Sequence, residues 1–170
     1  ERERRSHSEH DTEDFEYLYK DDHPHGNALD KHSLTIAVDV GSGSGWFANY
    51  LIAQRNYKIV YAIEPSQAAV DIAKKIYPDQ KKVQYIVGFA EEEIYKLKLE
   101  EPTFFSTMGV FMHLPNEASS EILKAISTVA PIGSVWAASE PWGEEYHNFV
   151  DLWHIRPPEW WSTYLPGWKF

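Results

Sequence analysis

Asp39 stands directly ahead of three glycines at alternate positions, Gly41, Gly43 and Gly45, in the stretch AVDVGSGSGWF (37–47). A carboxylate beside a glycine turn has the outline of a ligand cradle. Glycines let the backbone approach a bound group and take positive φ, and a helix that follows offers free N–H groups. A second carboxylate, Glu64, lies 19 residues beyond Gly45, close to the separation at which an acidic residue binds both ribose hydroxyls of a nucleotide. Eight histidines supply candidate bases. Asp21, Asp22, His23 and His25, in DDHPH, have metal-ligating types but read as a solvated loop, so no metal is expected.

The glycine turn alone suits either a dinucleotide or another adenosine-bearing cofactor. The dinucleotide fingerprint needs its third glycine three residues after the second, where helix and strand pack closely. Trp46 occupies that position, and its indole would block such packing. The spacing here is G-x-G-x-G behind Asp39. A carboxylate at that strand end is compatible with an ammonium group, so an amino-acid-bearing nucleoside fits better than a diphosphate.

The elements that must position these residues follow from apolar periodicity. LTIAVDV (34–40) reads as a strand buried on both faces. GWFANYLIAQRN (45–56) reads as a helix, with Phe47, Tyr50 and Leu51 at helical spacing and Gln54 the exception. YKIVYAIE (57–64) is a second strand. PSQAAVDIAKKIYP (65–78) is a second helix, with Pro65 and Ser66 at its start and Pro78 beyond its end. KVQYIVG (82–88), PTFFSTMGVF (102–111) and GSVWAASEP (133–141) complete five strands. A short helical pattern (90–99) and a helix over 116–131, with Ile122, Leu123, Ile126 and Val129 on one face, lie between them. The alternation predicts an α/β fold, a doubly wound parallel sheet flanked by helices. Beyond Pro141 the regularity fades, apart from a helix over 157–165 and a turn entering a strand at PGWKF.

The 170 residues suit one domain with a real core. The composition is 43% hydrophobic and 15% aromatic, which is globular. A net charge of −10 argues against wrapping nucleic acid. The sequence has no apolar run long enough to span a membrane and no signal-peptide core, and it lacks cysteine, which together predict a cytoplasmic protein with no membrane partner. Glu1 rather than Met at the start predicts a fragment, a processed product or a trimmed chain. ERERRSHSEHDTED reads as a frayed charged arm holding His7 and His10, and 15–33 as a brief helix and loop. Six of the seven tryptophans fall in residues 136–170. Three parts follow: an arm (1–33), a cofactor-binding core (34–141) and an aromatic-rich acceptor side of the same domain (142–170).

VDVGSGSGWF, IVYAIEPS, VGFAEE and MGVFMHLPNE…LKAISTVAPIGSVWAASEP resemble, in order and at normal spacing, the successive motifs of class I S-adenosylmethionine-dependent methyltransferases of the small-molecule type. The resemblance covers roughly residues 34–141. It implies a Rossmann-like fold and S-adenosyl-L-methionine as cofactor. It implies that Asp39, Gly41, Ser42 and Gly43 surround the methionine moiety, and that Glu64 holds the ribose hydroxyls. Pro65 would then sit near the adenine, Phe89, Ala90 and Glu91 along the adenine edge, and Met108 and Gly109 under the cofactor. Two departures stand out. Phe89 replaces an Asp common in the family, and the terminal antiparallel hairpin of the family is incomplete at Phe170.

An alcohol acceptor must lose a proton, which calls for a base within reach. His113, in a His-Leu-Pro similar to that of many small-molecule methyltransferases, falls just past strand four on the cofactor side. His147 and His154 fall where the family places acceptor contacts. These three are the candidate catalytic histidines. Trp142 and Trp153 are candidate pocket aromatics with Glu144, Glu145 and Arg156 as polar handles, whereas Trp136 packs in strand five. The expected function is methyl transfer to a small-molecule acceptor, O-methylation of a hydroxylated or sugar-like compound. The alternatives are a non-catalytic cofactor-binding domain and, further off, an NAD-linked oxidoreductase.

Overall fold

Strand β1 (Ile36–Val40) is apolar and largely β-branched, and it occupies the middle of a five-stranded sheet where both faces are covered. The computed structural model describes residues 33–141, 143, 147–149 and 153–169. The charged arm, the DDHPH stretch, Trp142, Glu144 and Glu145 lie outside the described residues. After β1 come α1 (Trp46–Arg55), β2 (Ile59–Glu64), α2 (Gln67–Ile76), β3 (Val83–Val87), the short α3 (Ala90–Glu93), β4 (Thr103–Met108), α4 (Asn116–Val129) and β5 (Val135–Ser139). All five strands run parallel in the order β3-β2-β1-β4-β5. Strand order therefore reverses between β1 and β4, which opens a crevice beyond their carboxyl ends. The α/β reading holds.

Local chemistry sets the helix bounds. Ser66 caps α2 by accepting a hydrogen bond from the Ala69 N–H at 3.3 Å. Asn56, at φ +58°, ends α1 in the left-handed region. Helix α4 buries Ile122, Leu123, Ala125 and Ile126 against Val38, Val40 and Phe105 of the sheet, and Val129 is only partly covered.

Three segments differ from the periodicity reading. Strand β4 stops at Met108, not at 111. Gly109, at φ +63°, turns the chain while its N–H still donates to the Ser139 carbonyl at 2.9 Å, and a 3₁₀ turn (Phe111–His113) follows. The helix expected over 90–99 winds down after Glu93 into a 3₁₀ turn (Ile94–Lys96). Between β5 and the last helix lies a hairpin, β6 (His147–Phe149) paired antiparallel with β7 (Trp153–Ile155). Helix α5 (Pro158–Tyr164) has proline in its first turn, as expected. Past it Trp168 donates its N–H to the Leu165 carbonyl at 3.2 Å, closing a turn, and neither Trp168 nor Lys169 enters a strand.

Candidate functional site

The turn after β1 directs its own N–H groups to the protein. Gly41 and Ser42 both donate to the Ile63 carbonyl, at 2.9 and 3.1 Å, and Gly45 donates to Ser42 O at 2.8 Å. Gly43 donates to Glu64 Oε2 at 3.0 Å. Glycine is required on two separate grounds. Gly41, Gly43 and Gly45 have φ of +70°, +52° and +77°, and a Cβ on Gly41 would stand 2.5 Å from Val110 Cγ2. A Cβ on Gly43, in contrast, would meet nothing within 4 Å. That glycine borders open space.

Two carboxylates flank this turn. Glu64, at the tip of β2, is held by the Gly43 N–H on one oxygen and by the Ser66 N–H, at 3.0 Å, on the other. Each oxygen keeps a lone pair for a further donor. Asp39 is buried, and its Oδ1 accepts from the Ser106 hydroxyl at 2.8 Å. Its Oδ2 and the Ser42 hydroxyl are buried with no hydrogen-bond partner. Burial pushes the Asp39 carboxyl up to about 7, against the lowering by Ser106 and the Ala48 backbone N–H, and the Glu64 charge adds to the rise. Among the described residues neither carboxylate is ion-paired. The turn thus offers a carboxylate at Glu64, a buried carboxyl at Asp39 that ionises only near pH 7, and few free donors. That pattern repels a diphosphate and suits a cation bearing hydroxyls.

The remaining residues singled out in the sequence spread along the same strand ends. Met108 ends β4, next to β1, Gly109 follows it, and both are half-buried. Pro65 is exposed behind Glu64. Phe89, past the end of β3, is 60% exposed, an unusual position for a large apolar ring. Ala90 beside it is buried and Glu91 is half-buried.

The three histidines differ in setting. His113 is exposed at the end of the 3₁₀ turn, with its ring edge-on to Trp153 at 6.3 Å between centroids. Trp153 is 50% exposed. His154, one residue on, is 7% exposed and opposite Asn148 in the hairpin register, while His147 pairs in register with Ile155.

One functional-looking residue, Glu140, escaped the sequence reading, and another, Arg156, has a different setting from the one expected. Glu140, just beyond β5, accepts from the Val110 and Phe111 N–H groups on Oε1, at 2.9 and 3.2 Å, and from the Met112 N–H on Oε2, at 3.1 Å. Burial raises its carboxyl, opposed by those three N–H groups and by Arg156. Arg156 is no surface handle. It is fully buried, donating Nη1 to Phe111 O at 2.7 Å, Nη2 to Leu114 O at 2.6 Å and Nε to Asn116 Oδ1 at 2.9 Å. The Trp160 ring lies 4.7 Å from its guanidinium carbon. The sequence signal was a lone Arg among aromatics, which does not say whether it faces in or out. Trp136 packs as expected, its Nε1 donating to Thr107 Oγ1 at 3.2 Å.

Residues 38–135 match the family model described as a methyltransferase domain. The chain belongs to that family. It is a class I S-adenosylmethionine-dependent methyltransferase domain with the Rossmann-like fold. Solved structures share that fold. A Leishmania major S-adenosylmethionine-dependent methyltransferase superposes at TM-score 0.64 with 15% identity, over 81% of this chain and 55% of its own. A proposed methyltransferase in complex with the Haloferax volcanii Trm112 methyltransferase activator gives 0.63 and 16%, over 82% and 64%. Human N-acetylserotonin methyltransferase in complex with S-adenosylmethionine gives 0.59 and 16%, over 82% and 43%. The chain thus spans about two fifths to two thirds of the length of these structures. Among curated protein sequences none matches significantly. S-adenosylmethionine fits the residues present: open space at Gly43, a carboxylate with lone pairs to spare at Glu64 and an unpaired buried oxygen at Asp39.

Proposed function

We propose that the protein transfers a methyl group from S-adenosylmethionine to a small-molecule acceptor, and that the atom methylated is the oxygen of a hydroxylated or sugar-like compound. The observation that carries the cofactor half is the pairing at the turn. Its N–H groups are already used by Ile63, Ser42 and Glu64, while Asp39 Oδ2 is buried and unpaired. An ammonium completes Asp39, and a diphosphate finds too few donors. Support for a small acceptor is the acidic balance, −10 overall, together with an exposed histidine beside a half-exposed tryptophan. An aromatic face stacks on flat rings and sugars.

The bound cofactor supplies a methyl already activated on a sulfonium. The protein's own residues then have three tasks. Asp39 would hold the ammonium and Glu64 the ribose hydroxyls. Trp153 stacks the acceptor, and such alignment supplies ~7–11 kcal/mol of the barrier lowering. An imidazole nitrogen of His113 would take the proton of the acceptor hydroxyl. His154, buried, supports the hairpin.

Isothermal calorimetry with S-adenosylhomocysteine, alongside NAD, tests the cofactor. Saturable binding of the first alone is expected, and its absence refutes the reading. Radiolabel transfer from S-adenosylmethionine across phenols, catechols and sugars tests the acceptor. Binding without transfer to any of them would favour a non-catalytic domain.

A further inference from the structure

We propose that Glu140 and Arg156 are positioning residues for methyl transfer, gripping the Phe111–His113 turn from its two ends so that the hairpin carrying Trp153 and the turn carrying His113 form one rigid acceptor wall. This rests on the reading of His113 and Trp153 given above. The geometry is complementary. Glu140 presents a carboxylate to three consecutive N–H groups, those of Val110, Phe111 and Met112, at the start of the turn. Arg156 presents its planar fork to the carbonyls of Phe111, the first residue of the turn, and Leu114, just past its end. Negative charge at the amino end and positive charge at the carboxyl end match the dipole of even one helical turn. Charge-assisted bonds of this kind are roughly twice as strong as neutral ones.

The clamp also joins parts far apart in sequence. Glu140 leaves the tip of β5, beside β4 and the cofactor crevice. Arg156 directly follows β7 and belongs to the acceptor-side hairpin. Nε of Arg156 reaches Asn116, at the start of α4. Trp160 stacks over its guanidinium and Trp161 lies 6.0 Å away, so the group is shielded from water on the α5 side. A buried arginine bonded to two main-chain carbonyls is not replaceable by lysine, whose single ammonium cannot span both and Asn116.

The test uses the whole chain, isotope-labelled, with Arg156→Lys and Glu140→Gln compared with the parent. Amide exchange at Val110, Phe111 and Met112 should accelerate about 10- to 100-fold in either variant, the effect of losing one charged hydrogen bond. Exchange in β1 and β2 should stay as in the parent. The His113 imidazole resonances should move, and S-adenosylhomocysteine affinity should stay within about threefold because Asp39 and Glu64 are untouched. Unchanged exchange and an unchanged His113 signature would overturn the proposal, as would acceleration spread evenly over the sheet. If Arg156→Lys fails to fold, Glu140→Gln decides, since Gln keeps the shape and one acceptor. Failure of the parent to bind S-adenosylhomocysteine would count against the cofactor reading alone, for the exchange pattern is measured without ligand.

Discussion

Asp39 carries the most chemical tension of any single residue in the domain. An ordinary aspartate loses its proton near pH 4, whereas burial holds this one up to about 7. Between those values the folded chain binds the proton that the unfolded chain has released. Stability therefore falls as pH rises from about 4 to 7 and is flat above, a change on the order of a few kcal/mol from this group. Replacing Asp39 with Asn removes the ionisation. Urea unfolding from pH 4 to 8 should show the stability gap between parent and D39N narrowing or reversing in the variant's favour as pH rises; a pH-independent gap would refute the assignment. Ligand binding runs the other way. An ammonium wants the ionised carboxyl, so below pH 7 S-adenosylhomocysteine affinity should drop by up to about tenfold per unit in the parent and stay level in D39N. The acid itself was legible in the sequence as a carboxylate at a strand tip. Its burial against Ser106, 67 residues away in sequence, was not, because that contact exists only once β1 and β4 pair.

At the scale of elements, the strands that read most clearly were those buried on both faces, such as β1 and β4, since a short, near-continuous apolar run rich in β-branched and aromatic residues fits little besides a covered strand. The hairpin did not read at all. Strands of three residues are too short for alternation to register, and the aromatics around them serve Arg156 as much as the core. The Glu140–Arg156 clamp was hidden for a related reason: its partners on the 110–116 segment are mostly main-chain atoms, which leave no mark on side-chain type. The glycine turn read well as a turn, yet the separate reason for each glycine needed geometry. Gly41→Ala must place a methyl against Val110, a branched side chain with little freedom to move. Gly43→Ala meets no protein atom and carries only the strain of the left-handed φ, about 1–2 kcal/mol. Thermal denaturation should rank G41A clearly below G43A in stability. Calorimetry should nonetheless show G43A losing S-adenosylhomocysteine affinity, because its methyl points into the open space proposed for the ligand. A G43A variant that binds as tightly as the parent would place the ligand elsewhere.

For the molecule as a whole, the sheet separates its two ends. Phe104, near the start of β4, is buried against Tyr57, which precedes β2, and against Phe47 of α1, whereas Asp39, Glu64 and Met108 sit toward the carboxyl ends of the strands. Stability and ligand binding should therefore be separable by mutation. A ligand at 100 times its Kd stabilises the folded state by about 2.7 kcal/mol, and each kcal/mol shifts Tm by roughly 2–4 °C for a domain of this size. S-adenosylhomocysteine should accordingly raise Tm by about 5–10 °C. Glu64→Ala removes a carboxylate bonded to the turn and free to accept from ribose, which weakens affinity about 10- to 100-fold. At the same ligand concentration its Tm increment should shrink to roughly half of the parent's or less. Phe104→Leu trims the far core by about 1 kcal/mol, so its baseline Tm falls while the increment survives intact. The two variants form a double dissociation readable by differential scanning fluorimetry. A parent-sized increment in Glu64→Ala would show that the carboxylate at the tip of β2 does not hold the ligand, and a lost increment in Phe104→Leu would show that the two ends of the sheet are not independent.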